Sequence, residues 1–245
     1  MSDFGGTVDP RDIDRFARHS AGWWDPRGSF RPLHQINTAR LDFIRRELIA
    51  HFRRDATSLA PFAGLSLADI GCGGGLVAEP MTRLGFAVAG IDADPGAIAV
   101  AREHAAASGL AIDYRAGDIA ALAGAEERFD VVLALEIVEH VADRAAFFAG
   151  LGALVKPGGA FVGATLNRTA RSFALAIVGA EYVLGWLPPG THDWRQFVRP
   201  AEFVLGLRRA GLRTIRLAGL GYDWRSGRWC ERDDLSVNYM LAARR

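Results

Sequence analysis

The stretch that decides the fold is "LADIGCGGG", residues 67–75. Its first half has the composition of a short buried strand. Its second half is a glycine turn, which lets the backbone bend tightly and approach a ligand without Cβ clashes. Asp69 lies at the end of the strand, and the glycines that follow it are Gly71, Gly73, Gly74 and Gly75. A buried strand that ends in glycines is typical of a nucleotide-binding α/β domain.

Strands and helices alternate downstream of this stretch. Short apolar runs and helical patterns follow one another as far as Leu166. Such alternation predicts a parallel sheet with helices on both faces and right-handed crossovers. The predicted strands are 65–70, 86–92, 110–118, 128–135 and 156–166, and the predicted helices are 76–85, 94–109 and 143–155.

The two ends of the chain show other patterns. Helices are predicted over 9–21 and about 38–53, on either side of an irregular segment, 22–37, that contains Pro and Gly. An apolar insertion follows the alternating region, and then come a helix near 200–210 and strands near 212–219 and 235–243. We therefore expect a single domain over 1–245, made of an N-terminal cap (1–60), a ligand-binding core (65–166), a lid insertion (167–200) and a final part (201–245).

Composition limits the classes of function. A chain of 245 residues, 50% of them hydrophobic, suits one globular domain with a sizeable core. The formal net charge of +1 gives no reason to expect nucleic acid as a partner. Cys72 and Cys230 offer neither a disulfide framework nor a zinc spacing, and the first twenty residues lack the apolar core of a signal peptide. We expect a cytoplasmic protein.

Acidic residues follow several of the predicted strands. Asp92 ends the second strand about 20 residues after the glycines, where a carboxylate suits the two hydroxyls of a ribose. Asp118 ends the third strand, and "LEIVEHV", residues 135–141, ends the fourth. Because ligands of an open α/β sheet bind beyond the carboxyl ends of its strands, these groups are candidates for one site.

Two kinds of nucleotide enzyme are compatible with the glycine turn. "GGGLVA", residues 73–78, satisfies the dinucleotide pattern G-x-G-x-x-A, which favours a nicotinamide or flavin oxidoreductase. The cluster G-x-G-G-G after Asp69, the acid at Asp118 and the stretch "LVKPGG", residues 154–159, favour a different class.

The ordered set "DIGCGGG … GID … GDI … FDVV … LVKPGG", within 67–165, resembles the class I methyltransferases that bind S-adenosylmethionine. The resemblance implies an α/β Rossmann-like fold with a mostly parallel seven-stranded sheet. It also implies that the glycine turn, including Gly71 and Gly73, faces the methionine and ribose part, while Asp69 orders the turn. Asp92 would take the ribose hydroxyls, Asp118 and Ile119 would lie by the adenine, and Leu135 would lie near the sulfonium.

The flanking segments resemble a narrower family, the ubiquinone-biosynthesis O-methyltransferases. The matching segments are 22–44, which begins "GWWDPRGSF", 167–202, which ends "DWRQFVRPAE", and "VNYML" at 237–241. The resemblance implies methylation of a catechol-type hydroxyl on a polyprenylated ring, with 2-polyprenyl-6-hydroxyphenol and 3-demethylubiquinol as acceptors. It implies that Arg40 binds the carboxylate of S-adenosylmethionine, which suits a guanidinium fork. The family usually has Pro where Thr38 stands, and Thr38 is expected to cap a helix instead.

Three roles remain open for "LEIVEHV". Glu136, Glu139 and His140 are spaced i, i+3, i+4 and would share one face of a helix. His140, with Glu139, could be the general base that a phenol of pKa about 10 requires. Eukaryotic relatives resemble this segment and are held to bind Mg²⁺ there, although imidazole is a better ligand for transition metals. The third role is a purely structural turn.

The insertion suggests contact with a membrane surface. "SFALAIVGAEYVLGWL", residues 172–187, is apolar on all sides but too short to span a bilayer. We expect 168–187 to cap the pocket, guide the prenyl tail and touch the inner face of the membrane, with Arg168 and Arg171 near lipid phosphates. A buried lid helix is the alternative. A ubiquinone-pathway enzyme complex is a further possible partner, and a non-catalytic subunit of such a complex is the remaining alternative to an enzyme.

Overall fold

The computed structural model describes residues 22–28, 30–119, 122, 127–175, 177, 193–223 and 225–245. The predicted helix over 9–21 lies outside these residues, as does most of the predicted lid insertion. The helices are α1 (Arg31–Phe52), α2 (Ala78–Arg83), α3 (Pro95–Ala107), α4 (Arg144–Leu154), α5 (Ala170–Ser172) and α6 (Pro200–Arg209). The strands are β1 (Ser66–Ile70), β2 (Ala87–Asp92), β3 (Asp113–Ala116), β4 (Phe129–Leu135), β5 (Val155–Leu166), β6 (Arg213–Asp223), β7 (Arg228–Arg232) and β8 (Asn238–Arg244).

The strands form one mixed sheet in the order β3-β2-β1-β4-β5-β8-β6-β7. Strands β1 to β5 are parallel, and β8, β6 and β7 continue the sheet in antiparallel pairs. The predicted Rossmann-like, mostly parallel sheet is therefore confirmed. The described residues form eight strands where seven were expected, because 228–232 folds back on β6 as a hairpin and adds an edge strand.

Helices cover both faces of the sheet, as the alternating pattern predicts. One face packs against α1, α2 and α3 through residues such as Phe43, Met81 and Ile98. The other packs against α4 and α6, where Phe147 and Phe203 are buried. Burial of these side chains supplies most of the stabilisation, at roughly 25 cal/mol per Å² of apolar surface.

Helix α1 begins seven residues before the predicted start at 38, so the prediction that Thr38 caps it is wrong. The helix starts at Arg31, and Pro32 lies in its first turn. Proline is well tolerated there because its missing N–H would have no partner in the helix anyway. Ile36 is buried on the same stripe as Phe43, so the apolar face begins inside the segment that was expected to be irregular.

The order of the strands along the sheet reverses between β1 and β4. The glycine turn follows β1 and "LEIVEHV" follows β4, so both lie at the carboxyl edge of the sheet. These two strands are neighbours, with Ile70 opposite Ala134 at their carboxyl ends. A reversal of this kind opens the crevice in which α/β sheets bind ligands. The fold therefore brings the two sequence features together.

Candidate active site

The glycine turn is held tightly against β2. The backbone N–H groups of Gly71 and Cys72 both donate to the carbonyl of Ile91, at 2.8 and 3.0 Å. The N–H of Gly73 donates to Asp92 Oδ2 at 2.8 Å. Gly71 and Gly73 have φ values of 74° and 51°, a region of backbone conformation that favours glycine over residues with a side chain.

Asp69 and Asp92 place two carboxylates beneath this turn. Asp69 is 3% exposed, and its Oδ2 has no hydrogen-bond partner within the part of the chain that the structure describes. Burial, with a smaller effect of the Asp92 charge, raises the pKa of Asp69 to about 7. Burial also raises the pKa of Asp92, against the lowering effect of its hydrogen bonds from backbone N–H groups. A buried carboxylate oxygen without a partner suits a group that binds a ligand or a bridging water.

The remaining predicted cofactor residues lie along the same edge. Asp118 is half-buried beyond the end of β3. Ile119 is 2% exposed and lies in the core cluster packed around α4, so its side chain serves the core. Leu135 ends β4 and is 9% exposed, which places it at the crevice.

Arg40, on α1, pairs with Glu136. Its Nη2 donates to Glu136 Oε1 at 2.6 Å, and the Arg40 side chain is buried. Arg40 Nε has no partner among the described residues. Glu136 has a φ of 53°, which is uncommon for a residue with a side chain and is a sign of local constraint. The two residues are 96 positions apart in sequence.

Glu139 is a buried carboxyl group beside Glu136. It is 3% exposed, and its Oε2 accepts a hydrogen bond of 2.9 Å from Thr165 Oγ1. The two glutamates also share a hydrogen bond. Burial, reinforced by the charge of Glu136, raises the pKa of Glu139 to about 8. Such a carboxyl group holds a proton at neutral pH and can exchange it near the pH at which a phenol begins to ionise.

The predicted metal group is not assembled in this structure. Glu136 lies before a 3-10 turn formed by 138–140, so the shared helical face expected from the spacing is absent. Within the described ranges, no three His, Cys, Asp or Glu side chains are arranged to hold a metal ion. Glu136 is engaged by Arg40 and Glu139 by Thr165. The arrangement of these described side chains therefore does not fit a three-ligand magnesium site. His140 is half-buried on the same turn as Glu139 and stays a predicted base.

Aromatic side chains of the segment before α1 lie on the glycine turn. Trp24 donates from its Nε1 to the carbonyl of Gly74 at 2.9 Å. It also stacks on His104, with ring centroids 3.5 Å apart. The position of His104 on α3 gives no sign, in the sequence, of this contact with a segment eighty positions away.

The insertion is described only at its two ends. Phe173 and Leu175 are exposed, whereas Ile177 is buried against Leu166 and Phe197. Asp193 caps a short 3-10 turn formed by 194–196, and His192 lies outside the described residues. None of the helices in the described ranges is long and apolar enough to cross a membrane.

Comparisons with known proteins agree with this geometry. A family model described as "Methyltransferase domain" matches residues 68–163. Among solved structures, a magnesium protoporphyrin IX methyltransferase from Synechocystis PCC 6803 superposes with a TM-score of 0.64 at 20% identity, covering 96% of this chain and 95% of that one. The PH0226 protein from Pyrococcus horikoshii OT3 gives a TM-score of 0.63 at 15% identity, covering 94% and 98%. These structures share the fold.

Curated relatives identify the family. The ubiquinone biosynthesis O-methyltransferase of Paramagnetospirillum magneticum is 54% identical over 98% of this chain and 96% of its own length. The protein of the same name from Methylobacterium nodulans is 53% identical over 98% of this chain and 97% of its own. The similarity includes the two flanks as well as the core, and it decides against the oxidoreductase alternative. The chain belongs to the family of ubiquinone biosynthesis O-methyltransferases.

Proposed function

We propose that the protein transfers the methyl group of S-adenosylmethionine to a hydroxyl of a polyprenylated catechol-type intermediate of ubiquinone biosynthesis. The two acceptors proposed are 2-polyprenyl-6-hydroxyphenol and 3-demethylubiquinol. The observation that carries the proposal is the identity of more than half of the residues to O-methyltransferases of that pathway over nearly the whole chain. The crevice between the glycine turn and "LEIVEHV" supports it.

The residues around the glycine turn fit the cofactor. The turn presents backbone without side chains, and Asp69 Oδ2 lies beneath it without a partner among the residues described. Asp92 fixes Gly73 at 2.8 Å, and its carboxylate lies at the strand end where a ribose is usually held. When bound, S-adenosylmethionine supplies an activated methyl group. The protein then has to hold the acceptor oxygen in line, exclude water and remove a proton.

Glu139 and His140 are the groups proposed to remove that proton. An ordinary carboxylate is too weak a base for a phenol, but a buried one with a pKa of about 8 is better matched. Thr165 fixes one oxygen of Glu139, which leaves the other carboxylate oxygen to share a proton with Glu136 or with His140 on the same turn. Glu136, which is held by Arg40, lies beside Glu139 and hydrogen-bonds to it.

One assay distinguishes proton removal by these side chains from assistance by a metal ion. We expect purified protein to methylate short-chain forms of both acceptors in EDTA at a rate within about twofold of the rate with added Mg²⁺. The physical reason is that a proton-accepting pair needs no Lewis acid, and the described side chains gather no three-ligand group. Activity that disappears in EDTA and returns with Mg²⁺ would contradict the metal-free base and restore the magnesium prediction.

A contact with the membrane surface is proposed for the start of the insertion. Phe173 and Leu175 are 45% and 53% exposed on a helical segment, a feature that suits shallow burial in lipid. Arg171 is exposed nearby and pairs with Asp234 at 2.6 Å, while Arg168 pairs with Glu202. Since these arginines already have carboxylate partners, the apolar pair carries the proposal. Ile177 is buried and is not part of the surface. A complex with other enzymes of the pathway stays a prediction.

Liposome co-sedimentation tests this contact. Changing Phe173 and Leu175 together to Ser should reduce the bound fraction several-fold on vesicles that contain anionic lipid, because they are the exposed large apolar side chains in the described part of the insertion. The double change of Leu205 and Ile215 to Ser is the matched control, since both are 45–46% exposed on α6 and β6. An equal vesicle-bound fraction for the two double variants would contradict the proposed contact.

A further inference from the structure

The segment before α1 packs its aromatic side chains directly on the glycine turn. A Cβ placed on Gly73 would lie 2.4 Å from the Trp23 ring, and one on Gly74 would lie 2.5 Å from Trp23 Cβ and Cγ. The Trp23 indole also stacks on Phe30, with centroids 3.8 Å apart and planes inclined by 11°. The absence of a side chain at these two glycines therefore makes room for Trp23.

The neighbouring Trp24 ties the turn to α3. Its Nε1 donates to the Gly74 carbonyl at 2.9 Å, and its ring lies parallel to His104 at 3.5 Å. His104 is itself held by Glu79, because its Nδ1 lies 2.6 Å from Glu79 Oε1. Glu79 is fully buried and also pairs with Arg83. A charged group buried in this way restrains the imidazole, and the imidazole is the platform on which Trp24 rests.

Two further hydrogen bonds fasten this segment. His34 Nε2 lies 2.8 Å from the Trp23 carbonyl. Asn37 Nδ2 donates to the carbonyl of Leu76, just after the glycines, at 2.9 Å. The turn is thus held from β2 on one side and from 23–37 on the other.

We propose that Trp23 and Trp24 are positioning residues for the cofactor, acting through Gly73 and Gly74. The aromatic clamp, formed by Trp23, Trp24, Phe30 and His104, fixes the turn in the shape that receives S-adenosylmethionine. This inference rests on the proposed function, because it assumes that the cofactor binds at the turn. The clamp sets cofactor affinity, and it leaves acceptor binding and the proton-removing pair unaffected.

The first test measures the affinity for S-adenosylhomocysteine by calorimetry in single variants. Trp24→Ala removes both the stack and the hydrogen bond to Gly74, and we expect about a tenfold loss of affinity. Trp24→Phe keeps the stack and should recover part of that loss, and His104→Phe should bind more tightly than His104→Ala. Trp229→Phe is the control, since Trp229 lies on β7, at the other end of the sheet from β3.

The second test is a double-mutant cycle between Gly73 and Trp23. Gly73→Ala introduces backbone strain and a contact with the Trp23 ring, whereas Trp23→Ala leaves the strain and removes the contact. The strain cancels in the cycle, so the remainder measures the coupling of the two positions. We expect Gly73→Ala to weaken S-adenosylhomocysteine binding several-fold more in the parent than in the Trp23→Ala background.

Steady-state kinetics separate positioning from simple loss of stability. The clamp variants should raise the KM for S-adenosylmethionine and leave the KM for the acceptor unchanged. Trp24→Ala with a lower melting temperature but unchanged cofactor affinity would overturn the proposal, and so would tighter binding by Trp23→Ala. If the unmodified protein itself fails to bind S-adenosylhomocysteine, the proposed function fails instead.

Discussion

Single residues at the strand ends carry the unusual chemistry of this site. Asp69 and Glu139 are buried carboxyl groups whose pKa values lie near 7 and 8, well above the ordinary range. Burial is the main cause in both, and a neighbouring carboxylate adds to it. Groups shifted in this way are common at functional sites, and both of these lie at the edge where the sheet order reverses.

Asp69→Asn should change how stability depends on pH. The pKa of Asp69 in the folded protein, about 7, exceeds the ordinary value of about 3.9 for an Asp carboxyl group, so the folded protein keeps a proton that the unfolded chain loses. The contribution of this group to the free energy of unfolding therefore falls by up to roughly 4 kcal/mol as pH rises from about 4 to about 7. Above about pH 7 it no longer changes with pH. Without an ionisable group at 69, the free energy of unfolding should decline less over this window.

Chemical denaturation at pH 5, 6 and 7 measures that difference. The matched control is Asp233→Asn, at an exposed position where the same change of side chain removes no buried group. Parallel pH profiles for the parent and the Asp69→Asn protein would contradict the burial of an ionisable proton at this position.

Glu139→Gln should remove most of the activity and alter its pH dependence. In the parent, kcat/KM should rise with pH up to about 8, as Glu139 loses its proton and becomes able to act as a base. The amide cannot accept that proton, so we expect kcat/KM to fall by about 10²–10⁴ and the rise toward pH 8 to disappear. Glu103→Gln, an exposed change on α3, is the control. An unaltered profile in Glu139→Gln would assign the base to His140 alone.

Elements differ in how well local sequence specifies them. The strands and helices of 65–166 follow from apolar runs, glycines and the cap at Asp94, whose carboxylate accepts from Gly96 N. Strand β7 was missed because "RWCER" has no alternation of apolar and polar residues, and it forms only by pairing with β6. The start of α1 was missed because Pro32 was read as a breaker, although it is compatible with a first turn.

The packing of α4 on the end of α6 gives a prediction at this scale. A Cβ on Gly152 would lie 2.2 Å from the carbonyl oxygen of Ala210, and backbone there cannot move aside cheaply. We expect Gly152→Ala to lower the free energy of unfolding by about 1–3 kcal/mol, despite the better helix propensity of alanine.

Gly150→Ala is the matched control on the same helix. Its Cβ would meet the flexible side chain of Ile119 at 3.1 Å, which can shift by a few tenths of an ångström. Thermal and denaturant unfolding of the two variants should show the loss only at 152. Equal stability of both proteins would mean that the two helices separate easily at this contact.

At the scale of the whole molecule, the parallel sheet explains why the site could be predicted in outline. Carboxyl ends of neighbouring strands meet at one edge, so Asp69, Asp92 and "LEIVEHV" could be placed together from the strand pattern alone. Contacts between distant segments could not be read in the same way. Two examples are the ion pair of Arg40 with Glu136 and the stacking of Trp24 on His104. Both depend on how α1 and the segment before it cross the sheet.

The predicted magnesium ligands Glu136, Glu139 and His140 show why sequence spacing alone does not establish that side chains share a face. Three residues at i, i+3, i+4 share a face only on a regular helix, and here the first has a positive φ and the others lie in a 3-10 turn. Contacts with distant residues then determine how these side chains are held: Arg40 donates a hydrogen bond to Glu136, and Thr165 donates one to Glu139. The same residues remain at the carboxyl edge of the sheet, and their role as acid and base is the one proposed above.

The most direct test of the proposed reaction follows the methyl group itself. Purified protein is incubated with S-adenosylmethionine labelled with deuterium in its methyl group and with a short-chain 2-polyprenyl-6-hydroxyphenol, and the product is analysed by mass spectrometry and NMR. The account predicts one labelled methyl group on a ring oxygen, with S-adenosylhomocysteine formed in equal amount. Label on a ring carbon, or no labelled product from protein that binds S-adenosylhomocysteine, would contradict it.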